Sequence, residues 1–222
     1  AALTRSGVRT NTTIVDQAKF TPSLVDGPFD GSAAAWKDAE RERVLLFSEP
    51  YLENRLMLLG RRGSDVSAKS LGELAGKRIL IVGGYSYGDA VSSVSAPVFV
   101  RSRSEEDSLA QLLAGKAEYT LMDELVVEYI LRNHGDQARS RLQIGSTPLI
   151  TRSLHLAIRR ARPDAASIVT RFNAELPKMI ADRTYHRLLH VDWIRADVDG
   201  DGRTELVART DQVAVHGDAH RA

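Results

Sequence analysis

The chain contains no cysteine. This excludes a disulfide, a thiolate nucleophile and a Cys-ligated zinc site, and it fits either redox compartment. Long apolar runs are also missing. The longest are short segments such as 44–47 and 79–82, far below the roughly 20 residues that cross a bilayer. Net charge is nearly absent: 30 Lys and Arg against 29 Asp and Glu leave +1 over 222 residues. No field of one sign gathers a polyanion, so nucleic acid is not an expected partner. The densest basic cluster, Arg159, Arg160 and Arg162, has no interleaved aromatics and runs into Pro163, which suits a solvated connection rather than a nucleotide-stacking surface. There is no internal repeat. The first residues do not form a secretory signal, which leaves the compartment open.

What remains is an ordinary globular composition, 43% hydrophobic and 27% charged, long enough for one large domain or two modest lobes. Short β-rich runs at 12–15, 29–35, 44–48, 55–59, 78–82, 118–122 and 154–159 alternate with helical patterns, an order that predicts parallel α/β architecture. Ser104 is placed to cap a helix ended by Gly115. The acids that follow it, Glu105, Glu106 and Asp107, have a simple reading as first-turn complements of the helix dipole. From Pro163 to about Leu189 the pattern is helical, and Pro177 is expected to divide it.

Three motifs could carry chemistry. Gly83-Gly84-Tyr85-Ser86-Tyr87-Gly88 follows the most apolar strand and is expected to open a helix, where free N–H groups suit an anionic or carbonyl group. Tyr85 stands where the second glycine of a dinucleotide fingerprint belongs, and the Lys of a P-loop is missing. Residues 84–88 do satisfy G-x-S-x-G, so Ser86 as a hydrolase nucleophile is the rival reading, although no HGGG-like segment supplies an oxyanion hole. His186 and His190 lie four apart, but Arg187, Leu188 and Leu189 between them exclude H-E-x-x-H. Finally, Asp197, Asp199, Asp201, Arg203 and Glu205 surround a glycine turn, the alternation by which a loop converges oxygens on calcium. Ala208 stands where an EF-hand needs its bidentate Glu, so an Asp/Gly solvent turn is the alternative.

Taken in order, several segments resemble the bacterial extracellular solute-binding family 3, the periplasmic amino-acid-binding components of ABC transporters. The segments are Asp38-Ala39-Glu40-Arg41 leading into Phe47-Ser48-Glu49-Pro50-Tyr51, then Leu71 to Arg78, then Leu113-Ala114-Gly115-Lys116 up to Met122-Asp123. The resemblance implies a periplasmic-binding-protein-like type II α/β fold with two lobes, a hinge and a ligand cleft between them. Lobe 1 would comprise 1–53, lacking its first strand, and 149–195; lobe 2 would comprise 54–148; 196–222 would hold the calcium-type loop and a tail. It implies that Arg41 holds a ligand carboxylate, Asp123 an ammonium, and Gly84, Tyr85 and Ser86 further donors, while Trp36 and Tyr87 wall the cleft. Ala33, Ala34 and Ala35 stand where the family usually places hydroxyls, which points away from a standard α-amino acid. The implied role is capture of a small polar, amino-acid-like solute for an ABC-type permease by an extracytoplasmic monomer that is not an enzyme and requires no cofactor. A sensor domain or a dehydratase-like enzyme on the same fold is the alternative.

Overall fold

A computed structural model of the protein describes residues 1–93, 97–189, 193–196 and 205–208. In chain order the helices are α1 (Ala2–Arg5), α2 (Gln17–Val25), α3 (Asp89–Ser92), α4 (Glu105–Leu113), α5 (Glu124–Arg141), α6 (Ala165–Ala181) and α7 (Thr184–Leu189). The strands are β1 (Gly31–Trp36), β2 (Leu45–Phe47), β3 (Leu52–Arg61), β4 (Arg78–Val82), β5 (Val98–Ser102), β6 (Tyr119–Asp123), β7 (Leu142–Arg159), β8 (Trp193–Ala196) and β9 (Glu205–Ala208). The chain forms two compact units: one of Ala1–Val15, Pro22–Glu53 and Ser153–Ala222, the other of Asp16–Thr21 and Asn54–Arg152.

In the first unit, β1 and β2 both pair antiparallel with the C-terminal part of β7, in registers such as Trp36 with Leu154 and Phe47 with Ala157. Gly31 is required here, because a Cβ would stand 2.2 Å from the Ala157 carbonyl oxygen. Leu156 and Ile158 of β7 pack with Ile168, Val169, Phe172, Leu176, Met179 and Ile180, which form the buried stripe of α6. Burying side chains of this size contributes about 1.5–3 kcal/mol each. That stripe explains why α6 runs through Pro177 instead of dividing there: one lost backbone hydrogen bond costs less than giving up the stripe. The helix stops at Asp182, and Arg183 then takes a left-handed turn at φ 63.

In the second unit, β3 runs antiparallel to β6, while β4 lies between β6 and β5 and is parallel to both. Met57, Leu59, Leu80, Leu112, Met122, Val127 and Leu142 form its core. Parallel pairing brings the C-terminal ends of β4, β5 and β6 to one edge of the sheet, and these ends lead into the 83–88 turn, Ser104–Glu105 and Asp123 respectively.

Two expectations fail locally. Residues 12–15 are irregular, with Ile14 97% exposed, because β-branched residues without a partner strand have nothing to pack against. The expected strand at 154–159 is only the end of an 18-residue strand. Its earlier half carries Gly145 and Pro148, residues usually read as strand breakers. Gly145 is needed because a Cβ there would lie 2.8 Å from the Val66 carbonyl oxygen.

Candidate functional site

Arg41 belongs to the first unit and opens a single 3-10 turn, Arg41–Arg43. It is 7% exposed despite lying in a charged run. Its backbone N–H donates to Asp38 Oδ1 at 2.8 Å, its Nε lies 3.7 Å from Asp38 Oδ2, and Nη1 donates to the Trp36 carbonyl at 3.1 Å. The acidic-x-x-Arg spacing is therefore an i,i+3 clamp that fixes the guanidinium from both its backbone and its side chain. Trp36 is buried at the end of β1. Nearby, Ser48 and His155 lock β2 to β7: His155 Nδ1 meets the Ser48 carbonyl at 2.8 Å, and Leu156 N–H donates to Ser48 Oγ at 3.0 Å.

The other predicted residues lie in the second unit. Asp123 ends β6 and caps α5, with Oδ1 accepting the Leu125 N–H at 2.9 Å. The residue is 7% exposed, and its buried Oδ2 makes no hydrogen bond. Burial pushes its carboxyl up from the ordinary range, against restraint from the Leu125 amide, the Asn54 side chain and the Val126 amide.

In the 83–88 turn, Gly84 and Gly88 take left-handed φ values of 84 and 66. Tyr87 is buried and its hydroxyl accepts the Val82 N–H at 2.9 Å, so this ring is part of the turn's own framework. The Tyr85 and Tyr87 rings lie 5.9 Å apart. Tyr85 and Ser86 are half-buried. The Tyr85 hydroxyl hydrogen-bonds Glu105, and burial followed by that carboxylate pushes its pKa up. Arg152 rests its Nη1 where a Cβ on Gly88 would be, 2.9 Å away, which is a second reason for glycine there.

The hydrolase reading of Ser86 finds no support in this geometry. A nucleophile elbow holds its serine in a strained turn leading into a helix. Here the positive-φ residues of the turn are glycines, Arg183 is the one non-glycine with positive φ among the described residues, and the helix that follows is four residues long.

Among the described residues no group of three or more His, Asp or Glu side chains could hold a metal ion. The predicted calcium ligands Asp197, Asp199, Asp201 and Arg203 lie outside the described residues, as do His190 and the side chain of Glu205. What is described is the hairpin that flanks the loop, with β8 antiparallel to β9 and Ala196 opposite Glu205.

Residues 1–195 match the model of the bacterial extracellular solute-binding proteins, family 3. The chain belongs to that family. The fold is correspondingly that of the type II periplasmic binding proteins. An ancestral arginine-binding protein bound to arginine aligns with TM-score 0.70 and 21% identity, over 85% of this chain and 83% of the other. An arginine 3rd transport system periplasmic binding protein from Legionella pneumophila aligns equally well at 22% identity, over 85% and 83%. The GluR0 ligand-binding core from Nostoc punctiforme, in complex with L-glutamate, gives 0.67 at 19% identity, over 84% of each chain. Among curated proteins, the membrane-bound lytic murein transglycosylase F of Ectopseudomonas mendocina is 27% identical over 184 residues. The match covers 79% of this chain and 36% of that protein's length. Among the described residues no helix is long and apolar enough to cross a membrane.

Three residues of this family member have roles that the sequence pattern does not signal: Asp38, which clamps Arg41, Arg152, which lies in β7 just before the expected strand, and Glu105, whose first-turn position matches that of its neighbours. The last had no detectable signal, because β5, whose end positions it, was itself not foreseen.

Proposed function

We propose that this solute-binding protein captures a small amino-acid-like solute, with Arg41 holding its carboxylate and Asp123 its ammonium. The supporting observation is that both charged residues are folded to 7% exposure, against the usual preference of Arg and Asp for solvent. A buried guanidinium suits a planar carboxylate, and a buried carboxylate oxygen without a hydrogen bond suits an N–H donor. Gly84, Tyr85 and Ser86 supply further polar contacts, and Trp36 an apolar one. Delivery to an ABC-type permease from an extracytoplasmic compartment is the role we assign, without catalysis. A second reading has its own support: this chain spans only part of the lytic murein transglycosylase it resembles, and an extracytoplasmic sensor unit within a longer protein is therefore the alternative role. We further propose that the 197–205 loop takes calcium.

Thermal unfolding against L-arginine, L-lysine, L-glutamine and L-glutamate tests the binding reading. A solute at 100 times its dissociation constant adds about 2.7 kcal/mol of stability. The expected result is a raised Tm for at least one solute that is lost in both Arg41→Ala and Asp123→Asn. Equal shifts in parent and variants would overturn the assignment of these two residues.

A further inference from the structure

Three consecutive acids open α4, and they do not behave alike. Glu106 is exposed, and Ser104 holds its carboxyl low. Asp107 accepts the Arg103 N–H at 2.9 Å and the Gln111 amide at 3.0 Å, and its carboxyl is likewise held low. Both serve the helix start. Glu105 does the opposite: it is half-buried, and its carboxyl is pushed up, first by burial, then by the charge of Asp123 and of Glu106. Its hydrogen bond from the Tyr85 hydroxyl works against that rise.

The sheet explains why these groups meet. Tyr85 follows β4, Glu105 follows β5 and Asp123 ends β6, three strands in parallel register whose carboxyl ends share one edge. The carboxyl ends of parallel strands are where α/β sheets commonly receive ligands. Among the described residues, the charges that bear most on the pair are negative. Glu106 and Glu124 add negative charge, and Asn54 and the Leu125 and Val126 amides contribute only neutral donors. Of the neighbouring cations, Arg55 pairs with Glu124 at 3.2 Å, Arg101 acts on Tyr87, and Arg152 lies against Gly88. Two partly desolvated carboxyls, one with a buried oxygen that accepts no hydrogen bond, call for a positive partner.

We propose that Glu105, oriented by the Tyr85 hydroxyl, is a second cation-holding carboxylate beside Asp123, and that it makes the protein selective for a basic amino acid. This rests on solute binding through Arg41 and Asp123 as proposed above. One guanidinium and two carboxylates complement a ligand with one carboxylate and two cationic groups. Binding such a ligand displaces protons from the acid pair as pH falls toward the carboxyl range.

Isothermal titration of the full chain with L-arginine and L-glutamine tests this, using parent, Glu105→Gln and Glu106→Gln, with thermal melts to verify folding. At pH 7 the parent is expected to prefer L-arginine by roughly 10-fold or more, the scale of one charge pair in a partly desolvated site. Glu106→Gln keeps that ratio and Glu105→Gln brings it near one. At pH 5 the enthalpy of arginine binding to the parent varies with the buffer's ionisation enthalpy, and this variation shrinks in Glu105→Gln. If the parent binds L-glutamine as tightly as L-arginine, and Asp123→Asn abolishes both, solute binding stands and the role of Glu105 fails. If neither amino acid binds, the binding reading fails with it.

Discussion

Asp38 holds Arg41 by two of its groups, the backbone N–H at 2.8 Å and Nε at 3.7 Å. The guanidinium is thereby fixed inside the first unit before any solute arrives. Preorganisation of this kind lowers the ordering cost of binding. Replacing Asp38 by Ala leaves a buried cation short of a partner and is expected to cost about 1–3 kcal/mol. Urea unfolding measures the loss, and solute-induced stabilisation should weaken in the same variant. An Asp38→Ala protein with parental stability and parental solute response would show that the clamp is idle.

The carboxyls of Glu105 and Asp123 are both raised in the native state, chiefly by burial. A raised native value penalises the charged folded form. The penalty is therefore complete above the native value and disappears below the unfolded value of about 4. Glu105→Gln removes its share. The variant is expected to be more stable than the parent at pH 7, and the advantage should vanish as pH falls to about 4. Urea midpoints at the two pH values decide it; an advantage that grows toward low pH would contradict the burial of Glu105.

Gly31 passes within reach of the Ala157 carbonyl oxygen and of Ile158 Cδ1, at 2.2 and 2.9 Å from an added Cβ. Backbone cannot give way as a side-chain tip can, so Gly31→Ala should move β1 off β7 and lower stability by about 1–3 kcal/mol. Gly63 has open space for a Cβ. Its φ of 85 makes alanine costly through backbone strain alone, about 1 kcal/mol. Comparing the two melts separates steric from conformational cost.

Calcium is expected to raise the melting temperature of the parent and to leave Asp199→Asn with Asp201→Asn unchanged, since alternating carboxylates supply the oxygens a hard cation needs. Equal melts with calcium and with a chelator would leave the loop as a solvated turn.

Much of the arrangement was legible in the sequence. Alternating β-rich and helical patterns identified the α/β class. The series from Asp38 to Asp123 pointed to the family and to both charged residues at 7% exposure. The segments missed were those whose structure depends on partners distant in sequence: β5, α5 and the first half of β7 gain their cores from Leu80, Leu112 and Met122. Residues 12–15 failed for the converse reason, since a β-branched run without a partner stays irregular.

By itself, then, the sequence determined what is local and repeated: hydrophobic period, helix starts, the i,i+3 spacing of Asp38 and Arg41, and the glycines of the 83–88 turn. Only the tertiary structure decided which charges lose their water. Glu105 and Glu106 are neighbours of identical chemistry, yet the parallel pairing of β4 with β5 and β6 brings one to Tyr85 and Asp123 and leaves the other exposed. Desolvation and the field of a residue 18 positions away arise from that packing, and no local pattern encodes them.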